Sequence, residues 1–124
     1  MQNSEKNKNT REDKLEYLFR KQRSLMTLYN IQEVDINTTH GQNTIRAITM
    51  HLIEELAEVL SYLKNKNWVS YETPVDMKGI EDELADSTHF FIELCILLKI
   101  SPQKLIKIYD EKYKKNLERI RTQY

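Results

Sequence analysis

The chain is poor in turn-making residues, with two glycines and two prolines among 124 residues. Chains built from many tight turns use far more of both, which disfavours an all-β sandwich or barrel and a glycine-rich nucleotide loop. A single cysteine, Cys95, excludes an internal disulfide framework and a cysteine-based zinc finger. Charge of one sign is also lacking: 19 basic and 19 acidic side chains give a formal net charge of zero. That balance argues against broad binding of nucleic acid or anionic membranes, and the trio Arg20, Lys21 and Arg23 is a small basic patch set against it. The apolar run through Cys95–Leu98 is far too short to span a bilayer. No basic segment followed by an apolar stretch opens the chain, so the expectation is a cytoplasmic protein with no membrane partner.

Helical periodicity is what the chain has instead. Residues 1–13 are polar and without apolar rhythm and read as a mobile tail, leaving 14–124 as a single domain. A first helix is predicted over about Asp13 to Tyr29, where Leu15, Leu18, Phe19, Leu25 (with Met26) and Tyr29 recur at roughly helical spacing. A polar loop follows to Asn43. A second helix over Asn43–Lys64 carries the stripe Ile45, Ile48, Leu52, Leu56, Val59 and Leu63. A third over Ile80–Lys99 turns Leu84, Phe91, Leu94, Cys95 and Leu98 inward, with Met50 and Phe90 as further core candidates. Ser101 then Pro102 is a helix-start signal, and a fourth helix to Arg121 offers Leu105, Ile108, Tyr109 and Leu117. Four such helices bury their stripes best as an all-α antiparallel four-helix bundle. A bundle this small is expected to complete its core by oligomerisation.

The acids are the informative residues. Glu55 and Glu58 are three apart on the second helix, and Glu83 and Asp86 repeat that spacing on the third, so each pair shares a face. With the helices antiparallel, Glu58 lies roughly 9 Å below the junction, and Glu83 and Asp86 roughly 5 and 9 Å below it. The pairs therefore sit at similar heights. Facing carboxylates repel unless something compensates, and oxygen ligands without histidine or thiolate suit Mg2+ or Mn2+ better than zinc. Mg2+ is normally completed by substrate phosphates, so the constellation suggests a site acting on a phosphate ester or anhydride. Solvated acidic faces are the bland alternative.

Glu54-Glu55-Leu56-Ala57-Glu58 followed by Glu83-Leu84-Ala85-Asp86 resembles the EExxE…ExxD signature of the all-α nucleoside triphosphate pyrophosphohydrolases, a superfamily of MazG-like proteins, dimeric dUTPases and dCTP pyrophosphatases. Lys64-Asn65-Lys66-Asn67-Trp68 is similar to a segment after the second helix of dimeric dUTPases, and Lys112, Asn116 and Arg119 match a late motif of the superfamily. Only about two turns separate the third helix from that motif, which favours the compact MazG-like type. The resemblance implies metal ligands at Glu55, Glu58, Glu83 and Asp86, Mg2+ as cofactor, and hydrolysis of a nucleoside triphosphate to monophosphate and pyrophosphate. It also implies a homo-oligomer, a dimer or a dimer of dimers.

In that mechanism a metal-activated water attacks phosphorus, with Glu54 orienting the water. Lys112, Asn116 and Arg119 fall on one stripe of the fourth helix and could hold phosphates and sugar, with Lys64 in a similar part. Trp68 either stacks on the base or covers the end of the core. His51 pairs with a neighbour or a ligand, and His89 and Glu93 read as inter-helix contacts. Gln22 could bond a base edge, although an exposed glutamine is the commoner case. A non-catalytic helical adaptor is the alternative function.

Overall fold

A computed structural model describes residues 12–63 and 74–123. They form four helices and, among the described residues, no strand: α1 Lys14–Leu28, α2 Thr39–Ser61, α3 Met77–Leu97 and α4 Pro102–Gln123. Each helix starts on a side-chain cap that satisfies an otherwise orphaned amide. Asp13 accepts from the Glu16 amide at 2.8 Å, Thr38 from Gly41 at 3.0 Å, Asp76 from Gly79 at 3.1 Å and Ser101 from Lys104 at 3.1 Å. The Thr38 and Asp76 caps start α2 at Thr39 and α3 at Met77, earlier than the apolar rhythm predicted at Asn43 and Ile80. Both helices run ahead of their first core residues because the capping side chain, not burial, fixes the start. Of the polar leader, residues 1–11 lie outside the described residues, while Glu12 ion-pairs with Arg20 at 2.7 Å and Asp13 caps α1.

α1 and α2 each run antiparallel to α3. Tyr62 of the α2 C-cap packs on Gly79, His51 stacks on Phe90 with ring centroids 5.5 Å apart, and across α1 and α3 Gln22 meets His89. With Phe19 beside Ile92 and Cys95, residue numbers on both α1 and α2 rise as those on α3 fall. Two apolar clusters make the core. Fully buried Phe19 packs with Ile92 and Cys95 against the first turns of α4 through Leu105, and Met26, Val34, Ile48 and Leu97 pack with Ile45, Phe90 and Leu94. Ile96 touches both.

Several residues predicted as core are instead exposed: Met50, Leu56 and Leu63 on and after α2, Leu84, Phe91 and Leu98 on and after α3, Tyr109 and Leu117 on α4. The cause is geometric. α2 packs mainly on α3, and α4 reaches the bundle mainly through its first turns against α1, so their apolar stripes are wider than their neighbours can cover.

Gly41 is fixed by a close approach. A β-carbon there would collide with the carbonyl of Asp35, a backbone atom that cannot swing aside. Gly41→Ala is expected to lower stability by about 1–3 kcal/mol, read as a lower midpoint in urea with the helical signal retained in native buffer.

Candidate functional site

The α2–α3 hairpin brings acidic groups together at one level. One carboxylate oxygen from each of Glu55, Glu58 and Glu83 lies within 4.8 Å of the others. Glu55 and Glu83 are half-buried and Glu58 is exposed. The spacing of three on α2 aims Glu55 and Glu58 the same way, and antiparallel pairing sets Glu83 opposite them.

That arrangement is electrostatically costly without a cation. Glu83 is pushed up to about 7, first by sharing a proton with Glu55, then by burial, then by Glu58. Its Oε2 is sealed from solvent and has no hydrogen-bond partner among the described residues. Beside the cluster, burial raises the Tyr62 phenol, and the charges of Glu83, Asp76, Glu58 and Asp82 raise it further. An all-oxygen donor set with a sealed, unsatisfied carboxylate oxygen fits a hard divalent ion such as Mg2+ or Mn2+.

The sign of the resulting pH dependence follows. Without metal, folded Glu83 keeps a proton that the unfolded chain gives up between its ordinary 4.5 and about 7. Its contribution to stability is complete below 4.5 and is lost as pH rises through about 7. The metal-free melting temperature is therefore expected to fall across that window. A divalent cation bound at the cluster would take the proton's place, so added Mg2+ or Mn2+ would then reverse the fall. A melting temperature indifferent to both pH and metal from pH 5 to 8 would exclude a coupled cluster.

The other candidates fall elsewhere. Asp86, one turn along α3, is exposed and stands outside the group of three. Glu54 is exposed, 3.7 Å from His51. Lys112, Asn116 and Arg119 are exposed on the part of α4 that leaves the bundle, on a different helix from those that bear the acids. Lys64 and Trp68 lie outside the described residues.

A cavity of about 360 Å3 lies between α1 and α3 and reaches Asp86. Asp86, Tyr29 and Leu25 line it, and Gln22, His89 and Glu93 form its polar wall. Gln22 is 6% exposed, against the exposed position expected of it, and its Oε1 lies 2.6 Å from His89 Nδ1. His89 thus makes the inter-helix contact expected of it, with Gln22 as a partner that the sequence did not indicate. The available signal was the spacing of Asp86, His89 and Glu93 at roughly one-turn steps, which extends the acidic face of α3 toward α1.

The chain matches the family model for dUTPase over residues 14–104, most of its length. The matched span contains all of the clustered acids and the cavity-lining residues and ends before Lys112. No curated protein and no solved structure matches it significantly.

Proposed function

The chain belongs to the dUTPase family, and on that premise we propose that it hydrolyses a deoxynucleoside triphosphate, dUTP first among candidates, to the monophosphate and pyrophosphate. The observation that carries the reading is the meeting of Glu55, Glu58 and Glu83 oxygens within 4.8 Å, with one oxygen of Glu83 sealed and unsatisfied. These three side chains would hold Mg2+ or Mn2+, with Asp86 as a fourth ligand after a change of side-chain rotamer. A bound divalent ion supplies neutralisation of the triphosphate and acidification of a water.

The protein's own groups do the rest. Glu54, at the rim of the acids and beside His51, orients the attacking water and accepts its proton. The attack breaks the bond between the first and second phosphates. The cavity behind Asp86 receives the base, with Leu25 and Tyr29 as apolar walls and Gln22 as a polar contact. Lys64 and Trp68 are proposed beside the same substrate, on its phosphates and base.

The basic stripe of α4 is proposed to act in a second copy of the chain. α4 carries seven Lys and Arg against three Asp and Glu, while α3 carries one Lys against five Asp and Glu. Exposed Ile106, Tyr109, Tyr113, Leu117 and Ile120 recur along α4 at steps of three and four, and Ile53, Leu56, Leu60 and Leu84 leave apolar surface open on α2 and α3. Packing α4 of one copy against the hairpin of another would cover both surfaces. It would also carry Lys112, Asn116 and Arg119 to the triphosphate.

Incubation with a panel of deoxynucleoside triphosphates and Mg2+ tests the reaction. Pyrophosphate and monophosphate in equal amounts are expected, fastest from dUTP and absent with excess chelator. Orthophosphate alone, or no turnover of any nucleotide, would rule the proposal out.

A further inference from the structure

Glu93 is the buried charge-bearing residue that the reaction above leaves unused. Its side chain lines the cavity between α1 and α3, yet the residue is 5% exposed. Among the described residues it makes no hydrogen bond and no ion pair. A carboxyl group in such a place costs stability unless something satisfies it. It sits two turns beyond Asp86 on the same face of α3, about 10 Å along the helix axis. Asp86, the proposed fourth ligand, and the buried carboxyl of Glu93 thus line the same cavity two turns apart.

The wall opposite is set by a fixed amide. Gln22 Oε1 meets His89 Nδ1 at 2.6 Å, which requires the proton on that ring nitrogen. With Oε1 already accepting from His89, the Gln22 N–H groups are the part of the amide without a partner among the described residues. The polar end of the cavity therefore presents a donor from Gln22 and an acceptor from Glu93. Burial raises the proton affinity of Glu93 and the nearby His51 opposes that rise. A ligand N–H aimed at the carboxylate would favour the charged, accepting form.

The geometry points to Glu93 as the residue that selects the base, accepting a hydrogen bond from the ring N–H of an imide such as uracil while Gln22 donates to the neighbouring carbonyl. This rests on the proposed hydrolase reading and deepens it. Cytosine presents the reverse pattern, an unprotonated ring nitrogen toward Glu93 and an amino group toward Gln22. Both contacts would then be mismatched, and a site built around buried polar groups rejects such a partner strongly.

The test compares dUTP with dCTP at saturating Mg2+, separating kcat from KM, for the wild-type chain, Glu93→Leu and Glu93→Gln. Glu93→Leu removes the acceptor and is expected to raise KM for dUTP about tenfold or more with kcat nearly unchanged. Glu93→Gln keeps an acceptor but can also turn an N–H to the ring nitrogen of cytosine. It should hold KM for dUTP within a few-fold and improve dCTP, narrowing the preference from the other side. A residue serving only to hold the fold would not move the two substrates in opposite senses. Wild-type preference for dUTP retained in Glu93→Gln, with dUTP KM unchanged in Glu93→Leu, would overturn the assignment while leaving the hydrolase reading intact. Should the leucine variant fail to fold, an unchanged dUTP to dCTP ratio in Glu93→Gln alone overturns it. A wild-type chain that turns over no nucleotide removes both.

Discussion

Glu58→Gln is expected to lose about a thousandfold or more in turnover while melting at a higher temperature than the wild-type chain in the absence of metal. The two effects share one origin. Glu58 is exposed on α2, and glutamine has the same length and similar helix propensity, so the fold loses little. What disappears is a charge pressed against Glu55 and Glu83. Relief of like-charge repulsion stabilises the metal-free protein. The same change removes a ligand from the proposed cation site, and several kcal/mol of transition-state stabilisation correspond to three or more powers of ten in rate. Steady-state assays and paired melts with and without Mg2+ read both effects. Near-normal turnover, or an unaltered gain in melting temperature from Mg2+, would remove Glu58 from the site.

The second large effect concerns the assembly. In the proposed arrangement one site takes its acids from one copy and Lys112, Asn116 and Arg119 from another. Glu58→Gln and Arg119→Ala chains should each be nearly inactive alone. Mixed in equal amounts and allowed to exchange as dimers, half the pairs are mixed, and each mixed pair holds one intact site and one doubly defective site. About a quarter of wild-type activity is then expected to return. If the acids and the basic stripe serve the same chain, every site in the mixture carries a defect and no activity returns. The mixing experiment thus tests where the stripe acts independently of which nucleotide is preferred.

Much of this was legible in the residues, for identifiable reasons. Glu55, Glu58 and Glu83 could be brought together because helix rise and antiparallel pairing are regular, so spacing converts directly into height. Four helices were legible because apolar residues recur at the helical period. Their starts were not, at α2 and α3, because Thr38 and Asp76 act through a hydrogen bond that apolar rhythm does not register. Leu56, Leu84, Phe91 and Tyr109 were assigned inward because periodicity identifies an apolar face without saying whether a neighbour of the same chain covers it. The pairing of Gln22 with His89, 67 residues apart, has no local signature at all. It depends on α1 crossing α3 at the level of the cavity, a tertiary fact. Asp86 shows the reverse limit: its spacing from Glu83 matches the signature, yet its side chain stands outside the group of three.

The central claim is that three carboxylates of one hairpin hold a divalent cation in place of the proton that Glu83 keeps up to about pH 7. Calorimetric titration of Mn2+ into the wild-type chain at pH 7, repeated in two buffers of different ionisation enthalpy, measures binding and proton release together. The expected result is saturable binding with release of a fraction of a proton, both abolished in Glu83→Gln. Absence of binding, or binding that releases no proton and survives that substitution, would contradict it.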